Sequence, residues 1–209
     1  MDIAVSAESA SWDEAAIGRL GLWLFIESEI MLFGAFFASY VSTRLGNAEC
    51  ALGVSVWPEA GHLPGLALAA LNTVLLLTSS YTMVRAVSGA ERGDRARFRA
   101  NLRATIALGA GFLVVKACEY TLKISHGYYP GSDLAQASPG LSIFLSYYYL
   151  MTSLHGLHVA AGLVWNLVVL SAPQDMPPPA LARKAEYAGL YWHFVDVIWV
   201  FLFPLFYLV

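Results

Sequence analysis

Charge is scarce in this sequence: Asp, Glu, Lys and Arg together make up 13% of its 209 residues, about half of the roughly 25% usual in a soluble domain. The scarcity is also uneven. From Leu141 to Leu170 there are 30 consecutive residues with none of the four, and from Ala188 to Val209 the only formal charge in 22 residues is Asp196. In a chain that is 58% apolar, runs of that length exclude a water-soluble core and ask for lipid. Cysteine is almost missing. Cys50 and Cys118 make neither a disulfide framework nor a metal knuckle, so the redox compartment stays open. Basic residues are missing from the start: Met1 to Ala16 is acidic and lacks the n-region of a secretory signal, so residues 1–16 are expected to persist as a short cytoplasmic segment. The formal net charge of −3 offers nothing to nucleic acid, and no such partner is expected.

What is present is a series of apolar stretches near 20–41, 63–84, 104–124, 141–170 and 188–209, each long enough to cross a hydrocarbon core of about 30 Å as a helix. The fold class expected is therefore an all-α integral membrane bundle of five transmembrane helices, forming one membrane domain over 17–209. Punctuation fits. Pro64 and Pro139 suit first turns, Ser138 is an N-cap residue type, and Trp57 reads as an interfacial anchor. Ser11 followed by Glu14 has the capping-box pattern and can start a short amphipathic helix ahead of the first span. Pro204 sits near enough to the end of the last helix to bend it only locally.

Basic residues set the expected sidedness. Six arginines lie between Arg85 and Arg103, and Arg183 and Lys184 precede the last span, whereas the opposite side has Arg44 and Lys123. The positive-inside rule then places the N-terminus in the cytoplasm and the C-terminus outside.

The informative residues are the polar ones inside the spans. His193 and Asp196 lie one turn apart on one face of the last helix, and a carboxylate at that depth must be turned toward protein. Glu27 and Glu29 are separated by roughly 200° of helical rotation, so they need separate partners. The expectation is that Glu27 reaches for water while Glu29, placed deeper, is either hydrogen-bonded scaffold or a proton-handling group. In the second span Gly65, Ala69, Asn72 and Thr73 suggest close helix packing with Asn72 bonding across the contact. Lys116, Glu119 and Lys123 are spaced to line one face and can neutralise one another, as a structural ladder near the outer interface or as a transport site.

The fourth span carries a small-residue seam of Ser142, Ser146, Ser153, Gly156 and Ala160, with His155, His158, Gly162 and Asn166 roughly opposite. Both sides are expected to face protein. Histidines spaced i,i+3 invite a metal or haem reading, but only His155, His158 and His193 lie within spans, the depths of His158 and His193 match poorly, and no cysteine joins them. Metal ligation is not expected. No nucleophile with its base and no phosphate loop is present, so no catalytic residue is assigned.

Several segments, in order, are similar to one known family. Ser28-Glu29 before an aromatic-rich run, Trp57-Pro58, Leu71-Asn72-Thr73, Glu119-Tyr120, His155-Gly156-Leu157-His158 and Tyr191-Trp192-His193-Phe194-Val195-Asp196 resemble the third subunit of haem-copper oxidases, cytochrome c oxidase type, in its five-helix bacterial form. The resemblance implies an accessory subunit of the bacterial inner membrane that binds no cofactor itself. Haem and copper belong to its partners, the catalytic subunit I with subunit II and small helical subunits. It further implies bound phospholipid, support of proton uptake by the dioxygen-reducing neighbour, and Glu29 as the family's buried glutamate. Asn72, Glu119, His155, His158, His193 and Asp196 are assigned to bundle contacts and lipid surroundings. Longer members have seven spans, and this sequence lacks the first two, which wall part of the lipid cleft. A related subunit of a quinol oxidase or a protein accompanying nitric oxide reduction would look much the same. A stand-alone ion or proton carrier predicts transport by the isolated chain, and a membrane cytochrome predicts haem absorbance without partners.

Overall fold

The computed structural model describes the backbone of residues 2–48 and 65–208 and the side chains of residues 16–46 and 65–208. Five long helices and one short one account for nearly all of it: α1 Asp2–Ala48, α2 Leu66–Glu91, α3 Arg95–Ser125, α4 Asp133–Gln136, α5 Pro139–Leu170 and α6 Pro178–Tyr207. The five long ones each contain a stretch long and apolar enough to cross a membrane. Trp57, Pro58, Pro64 and Cys50 lie outside the described residues.

Every long helix outruns the apolar stretch that announced it. α2 continues through Arg85 to Glu91 and α3 begins at Arg95, so the arginine-rich segment is two helix ends joined by a turn over 92–94 rather than a loop. The turn is built by Gly93, at φ 71°, where a side chain would be strained, and by the Asp94 carboxylate, which accepts the Arg97 N–H at 2.9 Å. Likewise α6 begins at Pro178, leaving 171–177 as the connection. Arg95 fastens the two connections together: its guanidinium donates to the carbonyls of Pro173, at 3.1 Å, and Met176. Ser11 lies inside α1 rather than at its start, because the helix runs unbroken from Asp2. At the other end of the bundle, α4 interrupts the polar connection, with Ser132 accepting from the Ala135 N–H at 3.1 Å. Ser138 stands at the N-cap of α5 with Pro139 in its first turn, as the sequence suggests.

The core is organised around α6. α2 and α3 form an antiparallel hairpin, α2 packs along α6, and α5 packs against both α3 and α6. Trp192 and Trp199 are fully buried on α6 and are held from α2: Trp192 Nε1 donates to Ser79 Oγ and Trp199 Nε1 to Thr73 Oγ1, both at 3.0 Å. These rungs run in opposite sequence order on the two helices, so α2 and α6 are antiparallel. Phe25 beside Tyr191 and Tyr40 beside Phe206 show α1 parallel to α6.

Among the described residues α1 touches only α5 and α6. It leaves Trp23, Leu24, Phe25, Met31 and Leu32 exposed. The fourth apolar stretch also differs from expectation. Ser146 and Ser153 of its small-residue seam are exposed, and a side chain on Gly156 would meet nothing within 4 Å, whereas His155, Gly162 and Asn166 are buried. Small residues at helical spacing identify a face, but among the described residues this one is covered only in part, Ser153 reaching the Tyr120 hydroxyl of α3 at 3.2 Å.

Candidate functional site

Three polar groupings lie inside the bundle. The first joins α1 to α5. Glu29 Oε2 and His158 Nε2 are 3.0 Å apart, with side-chain exposures of 16% and 14%, so the contact is largely out of solvent. His158 Nδ1 is meanwhile 2.8 Å from the Leu154 carbonyl. The imidazole thus bridges the α5 backbone to the Glu29 carboxyl. Phe33 packs edge-on to the imidazole at 5.5 Å, and the Tyr191 hydroxyl donates to the His158 carbonyl at 3.1 Å, which fixes the ring's backbone. Glu27 is exposed. The register of α1 on α6, from Arg19 with Glu186 at one end to Tyr40 with the Leu205 carbonyl at the other, puts Glu29 midway along the span and level with Asp196.

Beside this pair is a cleft of about 460 Å³ between α1 and α6. Trp23, Ile30, Phe33 and Phe37 line one wall and Phe194 and Phe201 the other, and His193 is the only ionisable residue reaching it.

The second grouping ties α3 to α5 and α6. Lys116 Nζ is 3.0 Å from Glu119 Oε2 and Lys123 Nζ is 3.4 Å from Oε1, with all three side chains at most 6% exposed. The sequence expectation of mutual neutralisation is incomplete, since two ammonium groups face one carboxylate. Tyrosines supply the rest. Tyr148 and Tyr207 donate to Glu119 Oε1 at 2.7 and 2.5 Å, and Lys116 donates to the same two hydroxyls at 3.0 and 2.7 Å. Lys123 lies over the Tyr148 ring at 4.2 Å. The close approach extends to backbone: at Gly65, φ 124°, a Cβ would stand 3.0 Å from Glu119 Oε1.

The third grouping lies between α2 and α6. His193 does not bond Asp196 on its own helix; its Nδ1 pairs with Ser80 Oγ at 2.7 Å. Asp196 is 5% exposed and both of its oxygens lack a hydrogen-bond partner. Asn72, expected to bond across the α2 contact, is fully buried with its amide unpaired, and Thr73 makes the bond to Trp199 instead. Asn166 is likewise buried and unpaired. His155 is neither ligand nor hydrogen-bond partner: its ring stacks on Trp199 at 5.4 Å and meets Phe112 edge-on at 5.6 Å, an aromatic packing role. Among the described residues no three His, Cys, Asp or Glu side chains converge as a metal site would require.

The structure thus brings Glu29 to His158, Glu119 to its lysines and His193 to α2, while leaving His155, Asn72 and Asp196 apart. Missed by the sequence reading were Tyr148, Tyr207 and Ser80, the partners from distant helices. A signal existed for the first: with Tyr147, Tyr148 and Tyr149 in a row on a helix, one of the three had to face inward.

Comparison with known proteins gives a consistent answer. Residues 14–209 match the family described as cytochrome c oxidase subunit III. The chain is 34% identical over 203 residues to "Cytochrome c oxidase subunit 3" of Corynebacterium diphtheriae, covering 97% of this chain and 93% of the relative. It is 35% identical to the proteins of the same name from Alkalihalophilus pseudofirmus, over 190 residues, and Bacillus subtilis, over 191. Each of these alignments covers 90% of this chain, with 85% and 84% of the respective relatives.

Proposed function

Because this chain belongs to the cytochrome c oxidase subunit III family, we propose that it serves as the accessory, cofactor-free subunit of a bacterial inner-membrane oxidase, seated beside the haem- and copper-bearing subunit I with subunit II. Its multi-pass helical build and bacterial relatives agree with that role. The N-terminus is in the cytoplasm and the C-terminus outside, a reading supported by the excess of arginine at one end of the helices under the positive-inside rule. The subunit stabilises its catalytic neighbour and supports proton uptake there. Phospholipid acyl chain fills the apolar cleft between α1 and α6, whose walls are suited to hydrocarbon and poorly suited to water.

The observation that carries this reading is the Glu29 and His158 pair, a contact largely out of solvent midway along the span and next to that cleft. A charge so placed costs several kcal/mol in hydrocarbon unless matched, so a pair retained there has a use. The experiment for the assembly is a mild-detergent purification through a tag on this chain, with spectroscopy and mass spectrometry of what accompanies it. Haem absorbance and a copper-binding subunit in the eluate are expected; a colourless chain without partners would overturn the assignment.

A narrower test is Glu29→Gln. The amide keeps a hydrogen bond to His158, so assembly is expected to lose less than about 1 kcal/mol. Proton uptake or the number of turnovers before inactivation is expected to fall to half or less, read by pH-indicator kinetics and by activity against time during turnover. Unchanged pumping and lifetime would reduce Glu29 to scaffold.

A further inference from the structure

A second, smaller cleft of about 260 Å³ opens between α2 and α6 at the arginine-bearing end of the bundle. Its lining mixes polar and apolar side chains: Glu91 and Glu186 stand at the arginine-bearing end, Ser88 lies in its wall, His193 lies deepest along α6, and Val84, Val87 and Leu190 supply the rest. Arg19 of α1 pairs with Glu186 at 3.2 Å, so that end is an exposed, charged rim. The inner end is different. His193 Nδ1 pairs with Ser80 Oγ at 2.7 Å, and beyond it the Asp196 carboxyl, 5% exposed, lies against the same serine.

From this arrangement we propose that the cleft between α2 and α6 is a proton inlet, in which water at Glu91 and Glu186 exchanges protons through His193 and Ser80 with a protonated Asp196 in the middle of the bundle. Two observations support it: a cavity that ends on an imidazole, and an acid 5% exposed on the far side of the serine that the imidazole bonds. A carboxyl in that position is tolerable as the neutral acid and very costly as the anion. Glu29 is engaged with His158 across α1 and α5, and Lys116 and Lys123 with Glu119 farther along.

The chemistry balances without any other reactant. To reload an ionised Asp196, water in the cleft first protonates the free nitrogen of His193, the imidazolium releases its other ring proton to Ser80 Oγ as the Ser80 hydroxyl proton moves to the Asp196 carboxylate, and a flip of the neutral ring turns the new proton toward Ser80. The same steps in reverse carry a proton outward, so protons from water reach the acid over successive cycles. Asp196 is the end of this path, since Trp199 with Thr73 and Phe112 with His155 close the next layer. The inlet does not depend on which side of the membrane the arginine-bearing end faces.

The test is infrared spectroscopy of the intact complex moved from H2O to D2O, with the carbonyl stretch of protonated Asp196 assigned from the difference between wild type and Asp196→Asn. A protonated band that shifts on deuteration is expected. Ser80→Ala removes one hydroxyl and little packing, and Ser88→Leu plugs the cleft nearer its mouth. Each is expected to slow the shift at least tenfold, with haem spectra and subunit content unchanged. Absence of any protonated Asp196 band, or a wild-type exchange rate in either variant, would overturn the inlet.

Discussion

Replacing Glu119 by leucine is expected to destabilise the subunit by about 3–5 kcal/mol, because it leaves Lys116 and Lys123 buried as two ammonium groups without a counter-charge. For a chain of this size that corresponds to a fall in Tm of roughly 10 °C, read by thermal unfolding in detergent, with a matching loss of co-purifying partners. Glu119→Gln should fall between, since its carbonyl still accepts from Tyr148 and Tyr207 while the charge is gone. The decisive variant is the triple replacement Lys116→Met, Glu119→Leu and Lys123→Met. Exchanging a whole buried ion cluster for apolar groups of similar volume is commonly neutral or stabilising, whereas removing one member is not. Tyr148 and Tyr207 can then bond each other, being 3.1 Å apart already. The triple variant should therefore recover most of the loss. If Glu119→Leu alone costs less than about 1 kcal/mol, the cluster is wetter than its burial implies.

That cluster also shows what a sequence can and cannot disclose. The spacing of Lys116, Glu119 and Lys123 places them on one face without any structure, because it follows from 3.6 residues per turn. Their tyrosine partners come from 29 and 88 residues beyond Glu119, and no local period encodes such a contact. The five spans were legible for a similar reason: a predominantly apolar run of 20 or more residues is long enough to cross a bilayer as a helix. Helix ends were not. Arginines near 85–103 stop an apolar stretch but are good helix formers, so α2 and α3 continue through them until Gly93 and Asp94 make the turn.

Partner choice was the part least visible. Asn72 and Thr73 are adjacent on α2, and either could have met α6; the structure gives Trp199 to Thr73 and leaves Asn72 unpaired. His193 and Asp196 do share a face, yet His193 bonds Ser80 of α2 rather than its neighbour one turn on. The seam of α5 makes the same point: its period predicts an intimate contact along its length, and among the described residues Ser153 meets Tyr120 of α3 at 3.2 Å while Ser146 is exposed and Gly156 has open space beside it.

The core leaves no such room at Trp192, and Gly109→Val is expected to be the most damaging small substitution in the chain. The indole is fully buried and anchored by its bond to Ser79, and it lies between the backbones of α3 and α5. A Cβ on Gly109 would stand 2.6 Å from the ring, and one on Gly162 would stand 2.9 Å from it on the other side. The ring cannot retreat from one helix without striking the other. Overpacking of this kind costs about 1–3 kcal/mol where a core can yield, and valine here should exceed that range because Leu163 also lies 2.9 Å from the added atom. Loss of folded subunit in detergent is the expected outcome, with Gly109→Ala milder and measurable. The cause can be isolated by pairing Gly109→Ala with Trp192→Phe, which shortens the ring that is struck. If the slot is what matters, the double variant should be more stable than the sum of the two single losses predicts, by a coupling of about 0.5–3 kcal/mol. Strictly additive losses would mean that α3 can shift away from α6, and that the indole is not the wedge that sets their spacing.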